Sequence, residues 1–509
     1  MQPLTFSSLA EQDAEFCGKV PLHQTNLLQP HACLFLVRQS DLVIIQVGEN
    51  CASLLQTTAD QIIGQSLSQF LQPQHLAQIR DQQVSESLPY PFAVGEAIHH
   101  AAIKKSGDLL FVEVENSPYD RGINSFKDIY RDLKHIAAEM ERAECTDQLC
   151  ETAARELKRI SGFDKVMIYQ FDQDWNGDVV AEALEEGMDS YMGLKFPASD
   201  IPRQARELYK TTPYRVIPAV DYEPVKLYPL LNPETQTFTD LSACNLRSVA
   251  QVHLEYLRNM GVQASMSTRI MLNGELWGLI ACHHRQPHDP GYEICSQLEL
   301  LSMLISSKLS AMQLKDVFTY KNGRQQLLTD FLEDLFGSQD LFQAAEKNQE
   351  ELLRLLAAEG VAVCANHKVR TFGEAPPPHV VEELLFWLRA KQVTGIYTQN
   401  ALPQHMDEMQ PYAGVATGVI ALPIQPSRNI FILGFRPEAV KEVQWAGNPY
   451  ESIQMEPGEK RYHPRASFRS WQEQVHHTAT DWNREQLDVA ESLRQAVVEY
   501  YLNFIQSSN

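Results

Sequence analysis

The chain lacks an excess of positive charge, a long apolar run and a paired-cysteine pattern, and each gap removes a class of function. Its 509 residues carry 43 Lys and Arg against 65 Asp and Glu, a net charge of −22. A protein of that sign repels nucleic-acid phosphates and anionic membrane surfaces, so neither nucleic acid nor membrane is an expected partner. No apolar stretch approaches the roughly 20 residues that a bilayer-spanning helix needs. The opening residues, Met1-Gln-Pro-Leu-Thr5, form neither a basic region nor an apolar one. No secretory leader is therefore expected, and the cytoplasm is the expected compartment. Nine cysteines, from Cys17 to Cys364, include no CxxC pair, so they are read as thiols and no metal site is expected. The rest is ordinary for globular protein, 44% hydrophobic and 21% charged. The length suits about three to five domains.

Periodicity divides the chain. His31–Val37 and Asp41–Val47 read as two apolar strands around a polar Arg38–Asp41 turn, and Leu109–Glu115 as another. The loop Asn116–Asn124 is a first boundary, after which Phe126–Ile160 turns helical. Strands return at Lys165–Phe171 and Ser265–His284, where Asn273-Gly274 marks a two-residue hairpin turn. Ile294, Leu298, Leu301, Ile305 and Leu309 then step by three or four, giving a long amphipathic helix with little to stop it before Gly323. Further helices at Asp330–Phe336 and Ala344–Ala358, strands near Val361–Ala365 and Gly418–Phe435, and a last helix over Trp482–Ile505 complete an α+β chain. The final apolar stripe suits either a fold-back onto its own domain or a partner.

Four segments carry possible chemistry. Cys17, beside Lys19 ahead of the first strand, is placed to be a reactive thiol or a bystander on an N-terminal arm. Phe196-Pro-Ala-Ser-Asp-Ile-Pro202 holds Asp200 in a stiff loop, although Ser199 or Asp200 could instead cap the helix that follows. On a helix from about Arg247, the spacing puts Val249, Val252, His253 and Tyr256 on one side. In the hairpin, Ser265, Ser267 and Arg269 share a face, as do Trp277, Leu279, Ala281 and His283. Cys282, His283 and His284 alternate between faces, which disfavours a shared metal ion. With Arg215 and Arg247 these pieces describe an apolar, aromatic pocket with cations, hydroxyls and imidazoles. It suits a large, flat, conjugated ligand with carboxylate tails. No catalytic constellation accompanies it.

These residues resemble the photosensory core of bacterial phytochromes, a PAS–GAF–PHY array, over essentially the whole chain. The resemblance rests on Cys17…Pro21-Leu-His23…Gln29-Pro-His31, Pro197-Ala-Ser-Asp-Ile-Pro202, His253-Leu-Glu-Tyr-Leu-Arg-Asn-Met-Gly261 and Leu276-Trp-Gly-Leu-Ile-Ala-Cys-His-His284, with Trp445-Ala-Gly447 and Pro464-Arg-Ala-Ser-Phe468 as a tongue hairpin. It implies three tandem domains, each an antiparallel sheet with flanking helices, joined by long helices: PAS over 1–125, GAF over 126–312 and PHY over 313–509, with the tongue at about 436–475. It implies a linear tetrapyrrole bound through a thioether to Cys17. Val252 stands where plant and many cyanobacterial relatives carry their attachment cysteine, which favours biliverdin. By the same resemblance, the Asp200 carbonyl and His253 meet the pyrrole N–H groups and His283 the D-ring carbonyl. Arg215, Arg247, Ser265 and Ser267 hold the propionates, and Tyr169, Phe196 and Tyr256 line the D-ring, with Ile201 and Tyr209 nearby. Arg465, Ser467 and Trp445 would belong to the tongue switch, Arg465 pairing with Asp200 in one state and Ser467 replacing it in the other. A homodimer through the helical spine, and an output domain (histidine kinase or diguanylate cyclase) beyond Asn509, are the implied partners. The chain itself is not expected to be an enzyme. Ala446 and Ala32 stand where the family usually has glycine, which is expected to alter kinetics or dark stability. A pigment-free GAF/PAS sensor of a small ligand such as a cyclic nucleotide is the alternative.

Overall fold

The computed structural model describes residues 23, 25–80, 89–118, 126–449, 453–455, 462–464 and 467–507. The chain divides into two compact units, one of Met1–Ser310 with Gln444–Trp471, the other of Ala311–Val443 with Gln472–Asn509. In the first unit, β1 (Leu27–Leu28), β2 (Ala32–Arg38), β3 (Ile44–Gly48), β4 (Tyr90–Val94), β5 (Ala97–Ser106) and β6 (Leu109–Glu115) build a sheet. A strand from far downstream, Val225–Tyr228 (β11 in chain order), joins it, giving the order β1-β11-β3-β2-β6-β5-β4. The near-continuous apolar run of β2 follows from burial on both faces. Cys33, Phe35 and Val37 enter one core, while Leu34 and Leu36 enter a second with Leu227, Leu241 and Leu246.

The second sheet carries the site. Its strands β7 (Lys165–Phe171), β8 (Gly177–Leu184), β9 (Lys195–Phe196), β10 (Tyr214–Ile217), β12 (Ala264–Leu272) and β13 (Glu275–His284) run in the order β10-β12-β13-β7-β8-β9. Trp445, on a returning strand, pairs in parallel with Lys195 at the edge. Asn273 and Gly274 both take positive φ, 54° and 85°, as the hairpin turn requires. The helical stretch expected over 126–160 is two helices, Phe126–Arg142 and Thr146–Ser161. Cys145 is extended, which breaks the helix there, and the Gln148 side chain accepts from the Glu144 N–H across the break at 3.0 Å.

The helix expected to stop at Gly323 does not. It runs from Gly291 to Ser338 and absorbs the segment 330–336 that the sequence reads as separate. One helical glycine costs about 1 kcal/mol; Leu328, Phe331 and Leu335 beyond it enter the second unit's core. That unit holds a five-stranded sheet, β15-β14-β18-β17-β16, with β14 at Gly360–Ala365, β15 at Lys368–Gly373, β16 at Tyr397–Gln399, β17 at Gly418–Gln425 and β18 at Ile430–Arg436. Val361, Val363, Ile420 and Ile432 pack on one face with Leu493 and Val497 of the helix Arg484–Ser507. Ala362, Cys364, Leu433 and Phe435 pack on the other with the helix Pro378–Ala390. Among the described residues, no helix is long and apolar enough to cross a membrane.

Candidate functional site

One face of the β7–β13 sheet is left open over a cavity of about 290 Å³. Register explains which residues reach it: Ser265 lies opposite His283, Ser267 opposite Ala281, and Tyr169 opposite Leu279, so these groups share that face. Cys282 is fully buried one position away, and His283 lines the cavity. The helix Gln251–Asn259 brings in Val252, His253, Tyr256 and Leu257. A 3₁₀ turn at Ala198–Asp200 follows Pro197, and Pro202, not Ser199 or Asp200, stands at the N-cap of the helix Arg203–Thr211. The Asp200 carboxylate instead accepts from Tyr256 Oη at 2.9 Å.

All twelve pocket residues expected from the sequence come together around this cavity: Tyr169, Phe196, Asp200, Ile201, Tyr209, Arg215, Arg247, His253, Tyr256, Ser265, Ser267 and His283. Cys17 and Arg465 lie outside the described residues, while Ser467 is exposed. Pro464 lines the cavity, and Phe468 stands edge-on to Tyr256 at 5.0 Å. The sequence did not mark Met167 or Gln204, which also line it, and marked Ser199 only as a possible helix cap. Met167 was available from its alternation with Tyr169, while Gln204 had no local signal.

The electrostatics are unusual for an interior. Arg215 donates to the carbonyls of Asn245, at 2.7 Å, and Arg247, and Arg247 donates to that of Leu241 at 3.1 Å. Neither guanidinium forms an ion pair among the described residues. Burial and the Arg215 charge push Arg247 down to about 9, the behaviour of two buried like charges that lack an anion. His253 is lowered to about 4 by burial and Arg215, and His283 to about 3 by burial, Lys165 and His253. Both are therefore neutral at pH 7, with a lone pair and an N–H each to offer. Buried His283 Nδ1, Ser199 Oγ and Gln204 Oε1 have no hydrogen-bond partner among the described residues. A group bearing anions, N–H donors and a polar oxygen on a flat apolar body fits these vacancies. No cluster of three or more His, Cys, Asp or Glu able to hold a metal ion occurs among the described residues.

Comparison with known proteins agrees with this geometry. Residues 17–117 match the PAS fold, 146–309 the GAF domain and 324–505 the phytochrome region. Cyanobacterial phytochrome B of Nostoc is 36% identical over 96% of this chain and 66% of its own length. A bacteriophytochrome of Xanthomonas campestris is 31% identical over 95% of this chain and 78% of its own. The crystal structure of a bacteriophytochrome from R. palustris superposes with a TM-score of 0.84 at 30% identity, covering 96% of this chain and 99% of that one. The chain belongs to the phytochromes, light receptors, and comprises their PAS–GAF–PHY photosensory module. It spans about two thirds of the length of the Nostoc relative.

Proposed function

We propose that the cavity holds a linear tetrapyrrole, biliverdin, tethered by a thioether to Cys17, and that the chain reports red and far-red light. The reading is carried by buried Arg247 and partly buried Arg215, two cations without a carboxylate partner among the described residues, in an aromatic-walled slot. Propionate tails would neutralise them, and Ser265 and Ser267 would add hydroxyls. When bound, the pigment supplies the absorption of light and the isomerisation of a bridge bond. Neutral His253 can accept from a pyrrole N–H alongside the Asp200 carbonyl, and neutral His283 can donate to a ring carbonyl. Tyr169, Phe196 and Tyr256, with Ile201 and Tyr209, would pack the end ring and exclude water.

The signal would leave through the tongue. Phe468 against Tyr256 and Pro464 at the cavity support a contact that senses the Asp200 neighbourhood, with Arg465, Ser467 and Trp445 as the switching residues. Converting such an element from 1:99 to 99:1 requires about 5.5 kcal/mol of differential stabilisation. Leu300, Met303, Leu304, Leu314 and Phe318 are exposed on the long helix, which supports a homodimer along it. In this reading residues 1–125, 126–312 and 313–509 are the three working domains of a cytoplasmic receptor. Catalysis belongs to a histidine kinase or diguanylate cyclase output domain, not to this chain.

Apoprotein mixed with biliverdin should turn green, fluoresce on a zinc-stained denaturing gel and change its absorbance under red light. Cys17→Ser should lose the zinc signal and keep reversible binding. A colourless mixture at saturating biliverdin would overturn the proposal and favour a pigment-free sensor of another small ligand.

A further inference from the structure

Five aromatic rings follow one another in contact, and two of them, Phe196 and Tyr169, line the cavity. Tyr191 meets Phe196 at 5.7 Å, Phe196 meets Tyr169 at 5.9 Å, Tyr169 meets Phe171 at 5.3 Å and Phe171 meets Trp175 at 5.6 Å. Most of these contacts are edge to face, the geometry aromatic quadrupoles prefer. A cation closes each end. Lys165 Nζ lies 3.8 Å from the centre of the Tyr191 ring and donates to the Asp189 carbonyl. The Arg206 guanidinium lies 4.6 Å from the Trp175 ring centre and donates to the Ile201 carbonyl at 2.6 Å.

Neither clamp is ordinary surface charge. Lys165 is 2% exposed and sits directly across from His283 on the cavity face of the sheet. Glu182, which accepts the Tyr191 N–H at 2.8 Å, and Asp189 supply a negative field that opposes part of its burial cost. At the far end Trp175 has φ of 65°, a left-handed conformation a bulky residue adopts only when its surroundings impose it.

We propose that Lys165 and Arg206 are positioning residues that clamp the two ends of this ring belt, hold Tyr169 and Phe196 against the cavity, and so set how freely the outermost ring of the pigment turns. This rests on the reading that the cavity holds a linear tetrapyrrole. The two cations act through the rings and need not touch the pigment, which separates them from the pocket residues described above.

The test uses the full chain as wild type, Lys165→Met, Lys165→Arg and Arg206→Gln. Without pigment, 5-fluorotryptophan labelling gives a fluorine resonance for Trp175, assigned by its loss in Trp175→Phe. That resonance should shift or broaden in Lys165→Met, whose change lies at the opposite end of the belt, and return in Lys165→Arg. With biliverdin, fluorescence yield should fall by about twofold or more in Lys165→Met and Arg206→Gln as the wall loosens, with recovery in Lys165→Arg. Should Lys165→Met fail to fold, Arg206→Gln decides, since its side chain is only partly buried. An unmoved Trp175 resonance in a folded Lys165→Met, or unchanged pigment fluorescence in Arg206→Gln, overturns the clamp. A wild type that takes up no pigment sinks the tetrapyrrole reading instead, and the fluorine resonance still reports whether the belt is held.

Discussion

The sheet of the second unit and the cavity-bearing sheet of the first are built from similar antiparallel strands and put to opposite uses. In the second unit, β14, β17 and β18 are buried on both faces, and period-two alternation sends Val361 and Ile432 into one core and Ala362 and Leu433 into the other. In the first unit, β7, β12 and β13 bury Ile168, Ile280 and Cys282 on one face, while Ser265, Ser267 and His283 face the cavity. The difference is a handful of polar residues at alternate positions. They leave a space that cannot collapse, because closing it would strand buried guanidinium and imidazole groups without partners. A sheet with apolar residues on both sides holds a domain together; the same sheet with polar residues on one side holds a ligand.

The most severe way to break this contrast is to fill the open face. A Cβ on Gly177 would stand 1.7 Å from Tyr169 Cζ, so Gly177→Ala must drive the Tyr169 ring out of the wall. Loss of photochromism with biliverdin is expected, measured as the red-light difference spectrum, and a full-amplitude spectrum would contradict the packing. Next in size is acid. His31, His253 and His283 are depressed in the folded state to about 4, 4 and 3, burial being the largest cause for each. Below pH 6.5 the unfolded chain binds protons that the folded pigment-free protein refuses, so stability present at pH 7 is lost as pH falls toward 4. Each histidine contributes up to about 1.4 kcal/mol per pH unit at the steepest point. Histidines of the second unit, His367, His379, His405, His476 and His477, are all exposed, so the sharp acid sensitivity should belong to the first. Urea midpoints at pH 7 and pH 5 measure it, and equal midpoints would remove the account. Third, Phe431→Ala in the filled sheet should cost about 3–5 kcal/mol while leaving the pigment spectrum intact.

Much of this was legible locally. Lys165–Phe171 and Leu109–Glu115 appear as strands with the bounds the apolar runs suggest. The Asn-Gly turn and the faces that carry Ser265, Ser267 and His283 follow from period two, whereas Ile201, Tyr209 and the role of each pocket residue rest on the family resemblance. What stayed hidden is nonlocal. Nothing in Val225–Tyr228 announces that it pairs with Leu27 and Val47, about 200 residues earlier in the chain. Lys165 reads as the polar start of a strand, and only the fold brings it the Asp189 carbonyl and the Tyr191 ring. Gly323 reads as a stop, yet the packing on either side carries the helix through it.

The smallest effect sharpens the comparison most. Arg247 is a buried cation with no ion-pair partner among the described residues, and Arg215 repels it. Replacing such a group with an apolar side chain removes a desolvation cost, whereas in an ordinary core the loss of a large side chain opens a cavity. Arg247→Met should therefore raise the stability of the pigment-free protein by about 1 kcal/mol, even though the bond to the Leu241 carbonyl is lost. The same variant should bind biliverdin roughly tenfold more weakly, through loss of one charge-assisted contact to a propionate. The two signs together distinguish a residue kept for a ligand from one kept for the fold. A variant that is both less stable without pigment and unchanged in pigment affinity would place Arg247 among the structural residues, and the open face would then need another explanation for its charge.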